Sequence, residues 1–219
     1  MLEEEQNNID PVSTVSFSVD AGIINRLGKE LVGRAETAVS ELVKNAYDAD
    51  ATSVELLFVN TDTVGGTLEI FDNGNGMTRD QLINGFMRLS SSDKFHNPVS
   101  PRFNRVRAGK KGIGRFATQR LGKKLTILTK AEDSIMGLKL EVDWSKYEID
   151  NDLSSIKNPI TELELDFSSG TKLIISDLRE AWWETPIKRV FRYISDLLQP
   201  TFLSEKSLDL NIASENSGE

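Results

Sequence analysis

Residues 41–59, ELVKNAYDADATSVELLFV, pass from one structural pattern to another within a dozen positions. Up to Asp48 the apolar side chains recur at helical spacing. Ala35, Ala38, Val39, Leu42, Val43 and Ala46 form a stripe, and a helix is expected from about Arg34 to Ala49. From Ser53 to Val59 the pattern alternates and is β-branched at Val54 and Val59, which reads as a strand. The helix also carries Glu41, Asn45 and Asp48 at i, i+4 and i+7. At about 100° per residue these three share one stripe. They would bring a carboxylate, a carboxamide oxygen and a second carboxylate to one cleft. A carboxylate can deprotonate or orient water. A carboxamide oxygen suits Mg²⁺, a hard ion that also takes phosphate oxygens. A polar helix face turned to water is the alternative reading of the same stripe.

Outward from this segment, residues 1–16 read as a flexible, acidic and polar N-terminal stretch, ahead of one domain over residues 17–219. Asp20 is placed to cap a helix through Ile23, Ile24, Leu27 and Leu31. Gly65-Gly66 marks a turn, and Thr67 to Phe71 is a short strand leading into Asp72-Asn73-Gly74-Asn75-Gly76-Met77. Glycines there permit positive φ and a close approach of backbone to ligand. An aspartate at a strand end can accept a hydrogen bond from an exocyclic amine such as that of adenine. A plain Asn-Gly turn is the alternative. Thr78 can cap a helix through Leu82, Ile83, Phe86 and Leu89. Ser90 to Lys111 has no apolar periodicity and reads as a lid-like loop.

Gly109-Lys110-Lys111-Gly112-Ile113-Gly114-Arg115-Phe116 closes that loop and opens a helix to about Leu121. Free N–H groups at a helix start, with Lys110, Lys111 and Arg115, suit phosphate. A Gly-Lys linker is the alternative. The segment lacks the G-x-x-x-x-G-K-[ST] order of a P-loop and does not follow a strand as a dinucleotide fingerprint does. Strands are expected at Lys124–Lys130, Ile135–Val142, Thr161–Phe167 and Thr171–Ser176, the last two joined as a hairpin through Ser168-Ser169-Gly170. A hydroxyl at Thr171 could join the Asp72 hydrogen bonds to a base. Thr185-Pro186 starts a helix with Ile187, Val190, Phe191, Ile194 and Leu197 on one face, and Pro200 ends it. After Leu210 the chain is mostly polar and stops abruptly, as the N-terminal part of a longer protein would. This order argues for an α+β, two-layer sandwich: a mixed, mostly antiparallel sheet with helices on one face.

Composition narrows the classes. The 219 residues hold 38% hydrophobic and 27% charged side chains, no cysteine, and no run long and apolar enough to span a membrane. Disulfides and thiolate metal sites are excluded, and a cytoplasmic location is expected. The net charge is −8, but Lys94 to Lys124 contains ten basic and no acidic residues. A polyphosphate ligand, a nucleic-acid partner or a solvated basic surface would each account for that island.

Taken together these segments resemble the GHKL superfamily of Hsp90, DNA gyrase B, MutL, MORC ATPases and histidine-kinase catalytic domains, over roughly Leu31 to Ser176. The likeness rests on ELVKNAYDADAT, IFDNGNGMT, GKKGIGRFA and SSGTKLIISDL, with spacing nearest the Hsp90-like and MORC-like branch. It implies the Bergerat fold, with ATP and Mg²⁺ as ligands and hydrolysis to ADP and phosphate driving a lid and dimerisation cycle. It implies Glu41 as general base and Asn45 as Mg²⁺ ligand, with Asp48 and Ala49 on the nucleotide side of the helix. Asp72 would bind the adenine amine, Gly74 and Gly76 would shape the turn, and Met77 would line the pocket. Lys110, Lys111, Gly112, Ile113 and Gly114 would meet phosphates, and Thr171 would support Asp72. Many relatives also use a Lys or Arg from a downstream transducer domain, which is expected to lie beyond these residues. A homodimer formed on ATP binding is expected, with the client unknown and no membrane. A histidine-kinase-type catalytic domain is the alternative activity, although the only histidine, His96, lies in the lid. A nucleotide-binding module with little hydrolysis is another.

Overall fold

Alternating strands and amphipathic helices sort the chain into two layers. The computed structural model describes residues 17–88, 98–107, 114–147, 150–197 and 208–216. Helices α1 (Ile23–Leu31) and α2 (Ala35–Asp48) precede the antiparallel pair β1 (Ser53–Val59) and β2 (Thr67–Asp72). A helical turn α3 (Arg79–Gln81), helix α4 (Gly114–Leu121) and strands β3 (Gly122–Lys130) and β4 (Gly137–Asp143) follow. Then come β5 (Ile160–Leu163), β6 (Gly170–Leu178), helix α5 (Glu184–Leu197) and β7 (Asp209–Glu215). The sheet order is β5-β4-β3-β6-β2-β1-β7, and only the β1–β7 pairing is parallel. This is the expected mixed, mostly antiparallel sheet.

One face of that sheet is apolar. Val54, Leu56 and Phe58 of β1, Leu68 and Ile70 of β2, Leu125 and Ile127 of β3, and Leu173 and Ile175 of β6 are buried, while the residues between them are partly exposed. The stripe Ala38, Val39, Leu42, Val43 and Ala46 of α2 is buried in the same core. Burying one Leu, Ile or Phe contributes about 1.5–3 kcal/mol. That burial, more than helix propensity, fixes α2 in the helical layer, with Glu41 and Asn45 left partly exposed. No helix among the described residues is long and apolar enough to cross a membrane.

Several expectations shift. Gly22 is the N-cap of α1, and Asp20 instead accepts the Gly22 N–H at 2.8 Å from further out. Thr78 and Gln81 form the reciprocal capping box, but the helix then widens into a π-turn over Leu82–Phe86, where Asn84 and Gly85 are poor helix formers. Leu89 lies outside the described residues. Ile135 and Met136 sit exposed in the turn before β4. The β5–β6 hairpin does not form: β5 pairs with β4, and β6 lies between β3 and β2. β6 starts at Gly170 with a φ of +132°, where a side chain would run into the Asp72 carbonyl, so the chain enters the sheet centre close beside β2. Finally, the polar stretch after Leu210 continues as β7, pairing from Asp209 to Glu215 along the outer edge of β1.

Candidate functional site

The polar stripe of α2 is where the spacing puts it. Asn45 and Glu41 are partly exposed and Asp48 is buried, all on the helix whose other side packs into the core. Glu41 is ion-paired with Lys44 at 2.7 Å. The helix closes when the Ala49 N–H bonds to the carbonyls of Asn45 and Ala46. Asp50 then takes a positive φ of 61°.

The turn after β2 docks on that helix end. The Asn75 N–H donates to the Ala49 carbonyl at 2.8 Å. The Asn73 side chain accepts from the Thr52 and Ser53 N–H groups at 2.8 and 2.9 Å, fixing the turn to the start of β1. Asp72 is 8% exposed, and its Oδ1 accepts the Gly74 N–H at 2.9 Å. Burial pushes its carboxyl up to about 7, against the pull of backbone hydrogen bonds from Gly74 and Thr171. A buried carboxylate with so few donors is poised to accept another. Gly76 has a φ of +64°, and a side chain there would run into the Lys130 carbonyl. The backbone of the turn is therefore pressed against the end of β3.

Asp72 and Thr171 are opposite one another across β2 and β6. Between them and Met77 sits Thr129, a residue that the reading of the sequence missed. Its hydroxyl is fully buried and accepts the Met77 N–H at 2.9 Å. It also lies 3.1 Å from the Gly170 carbonyl and 3.0 Å from the Thr171 hydroxyl. The signal was present: Leu125, Ile127 and Thr129 alternate, so a polar residue falls on the core-facing side of β3.

A second unforeseen feature braces the helix end. Residues 98–107 fold back through a Val99–Val106 bridge and meet Asp50. The Asp50 carboxylate accepts from the Ser100 hydroxyl, the Arg102 and Phe103 N–H groups at 2.8 and 3.3 Å, and the Asn75 amide at 3.3 Å. Burial alone would push this carboxyl up, but those donors prevail and hold it below the ordinary aspartate value. Arg105, 1% exposed, donates to the carbonyls of Tyr47 and Ala51 at 3.2 and 2.6 Å and stacks on the Tyr47 and Phe103 rings. Much of the middle of the expected lid is thus a strut tied to α2 and to the Asp72 turn. Arg105→Met should lower unfolding stability by about 2–3 kcal/mol, because it strands two buried carbonyls. A urea midpoint equal to wild type would contradict this.

Lys110, Lys111, Gly112, Ile113, Phe95 and His96 lie outside the described residues. Gly114 is the first residue of α4, which anchors itself through buried Phe116 and Ala117. Among the described residues no group of three or more His, Cys, Asp or Glu side chains could hold a metal by itself. Asn45, a single, partly exposed carboxamide oxygen, fits the chemistry of Mg²⁺, which keeps waters and takes its remaining ligands from phosphate.

A buried carboxylate at a glycine turn thus sits against the end of a helix that carries a glutamate and an asparagine. Residues 33–171 match the family model described as histidine kinase-, DNA gyrase B- and HSP90-like ATPase. The chain belongs to this ATPase family. It is 27% identical over 207 residues to the DNA mismatch repair protein MutL of Agathobacter rectalis, covering 85% of this chain and 27% of that protein. It is 33% identical to the chaperone protein HtpG of Shewanella denitrificans over 46% of this chain and 19% of that one. With the ATPase MORC2B of Mus musculus it shares 31% over 63% of this chain and 14% of that protein. The last two agree with the expected Hsp90-like and MORC-like branch. The chain spans about a quarter or less of the length of these three relatives.

Proposed function

We propose that this chain binds ATP with Mg²⁺ and hydrolyses it to ADP and phosphate. The observation that carries this reading is Asp72. It is a buried carboxylate with unfilled acceptor capacity, held against the helix end from which Glu41 stands eight residues, or about 12 Å, along the axis. That separation is of the order of a nucleoside triphosphate's length. Asp72 accepts the adenine amine, with Thr171 and Thr129 holding the strand ends around it. Met77 lines the base, and Asp48 and Ala49 border the sugar and phosphates. Lys110, Lys111, Gly112, Ile113 and Gly114 receive the phosphates at the start of α4. Asn45 would hold the Mg²⁺, which when bound offsets charge on the phosphate oxygens.

Glu41 takes a proton from the attacking water as the water oxygen bonds to the γ-phosphorus. The bridging P–O bond then breaks, and its electron pair leaves on the β-phosphate of ADP. Nucleotide binding coupled to a conformational cycle, with a second copy of the chain and a downstream domain, completes the proposal.

Base selectivity tests the Asp72 assignment. Adenine presents an amine donor where guanine presents a carbonyl acceptor. Calorimetric titration with Mg²⁺ should show ATP bound at least about tenfold more tightly than GTP, the scale of one hydrogen bond to a charged group. Equal affinities would remove the assignment.

A further inference from the structure

We propose that Lys44 is the positioning residue for Glu41: it anchors one carboxylate oxygen so that the other is presented to the attacking water. This rests on the assignment of Glu41 as base. Lys44 Nζ lies 2.7 Å from Glu41 Oε1, three residues away on the same helix. Among the described residues Lys44 is the only hydrogen-bond or ion-pair partner of the Glu41 side chain. The side chains are 21% and 19% exposed, so the pair sits half-sheltered at the rim of the polar stripe.

An ion pair of this kind adds little to fold stability. Its consequence is geometric. A free glutamate side chain turns about three bonds, and a base works only when its oxygen reaches the proton it removes. Anchoring Oε1 fixes the plane of the carboxylate and leaves Oε2 without a partner among the described residues. Both residues ride on α2, which is held from behind by Leu42, Val43 and Ala46. The relation between cation and base is therefore set by one rigid element and does not depend on any loop. Lys44 also adjoins Asn45, so anchor, base and proposed metal ligand fall within five consecutive positions.

The test measures kcat, KM and nucleotide Kd for wild type, Lys44→Met, Lys44→Arg, Glu41→Gln and the Glu41→Gln/Lys44→Met double variant. Lys44→Met should lower kcat by about 10–100-fold with KM and Kd nearly unchanged, the range expected for a misplaced reacting group. Lys44→Arg should restore most of the rate. The double variant should be no slower than Glu41→Gln alone, since Lys44 acts through Glu41. An unchanged or raised kcat in Lys44→Met would overturn the proposal. So would a loss confined to nucleotide affinity, which would make Lys44 a phosphate ligand, or additive losses in the double variant. If Glu41→Gln itself hydrolyses as fast as wild type, it is the base assignment that fails, and the positioning role falls with it.

Discussion

Glu41→Gln should lower steady-state ATP hydrolysis by about 10²–10⁴-fold while nucleotide affinity stays close to wild type. At roughly 1.4 kcal/mol per decade, that corresponds to about 3–5.5 kcal/mol of lost transition-state stabilisation. Glutamine keeps the size of the side chain and one acceptor oxygen but cannot take a proton. The split between rate and affinity is what marks a base. Glu41 lies about two helical turns from the Asp72 turn, so the proposed seat of the nucleobase is untouched by the change. Matched hydrolysis rates for the two proteins, measured with the same preparation and Mg²⁺ concentration, would end the assignment. A fall in affinity without a fall in kcat would instead place Glu41 among the binding groups.

Asp72→Asn should separate binding from stability. If Asp72 accepts the adenine amine as proposed, an amide cannot supply the same charged acceptor, and ATP affinity should fall by at least about tenfold to a hundredfold. The fold should respond in the other direction. The Asp72 carboxyl is raised by burial to about 7, so the native state holds a proton that the unfolded chain has already released. Between the ordinary aspartate value near 4 and pH 7, unfolding stability therefore falls as pH rises, and above pH 7 it levels off. Three units correspond to an upper bound of about 4 kcal/mol. The substituted carboxamide does not titrate, so the variant should lose this dependence and be the more stable protein at pH 8. Urea midpoints taken from pH 4 to 8 would show it; parallel profiles would contradict it. In the wild type, ATP affinity should climb with pH up to about 7 as the carboxylate forms.

The reading of the sequence was most secure where one periodicity governed a whole element. The α2 stripe from Ala35 to Ala46 and the β1 alternation at Val54, Leu56 and Phe58 needed no tertiary information, because one side of each is simply apolar. The turn at Asp72, Gly74 and Gly76 was legible because glycines after a strand end permit a positive φ and a close backbone approach, as at Gly76 with its φ of +64°. What escaped notice depends on partners distant in the chain. Thr129 meets Gly170 and Thr171 some 40 residues on. Arg105 closes on Tyr47 and Ala51 across more than 50 residues, and in the sequence it is one cation among ten in a basic stretch. The failed β5–β6 hairpin belongs here too. Ser168-Ser169-Gly170 has the composition of a tight turn, yet Gly170 starts β6 where a side chain would run into the Asp72 backbone. β7 was missed because an edge strand alternates weakly, with one neighbour and little to bury.

That edge strand has a consequence for how the molecule is made. β1 leaves the ribosome early, but the strand that covers its outer edge, Asp209–Glu215, follows some 150 residues later. Until then the amides and carbonyls along one side of β1 have no partner, next to the apolar run Leu56-Leu57-Phe58. A nascent chain thus carries an open β-edge until those residues emerge, an invitation to pair with a neighbouring copy. The outer edge of the sheet's first strand in chain order is covered only by the last.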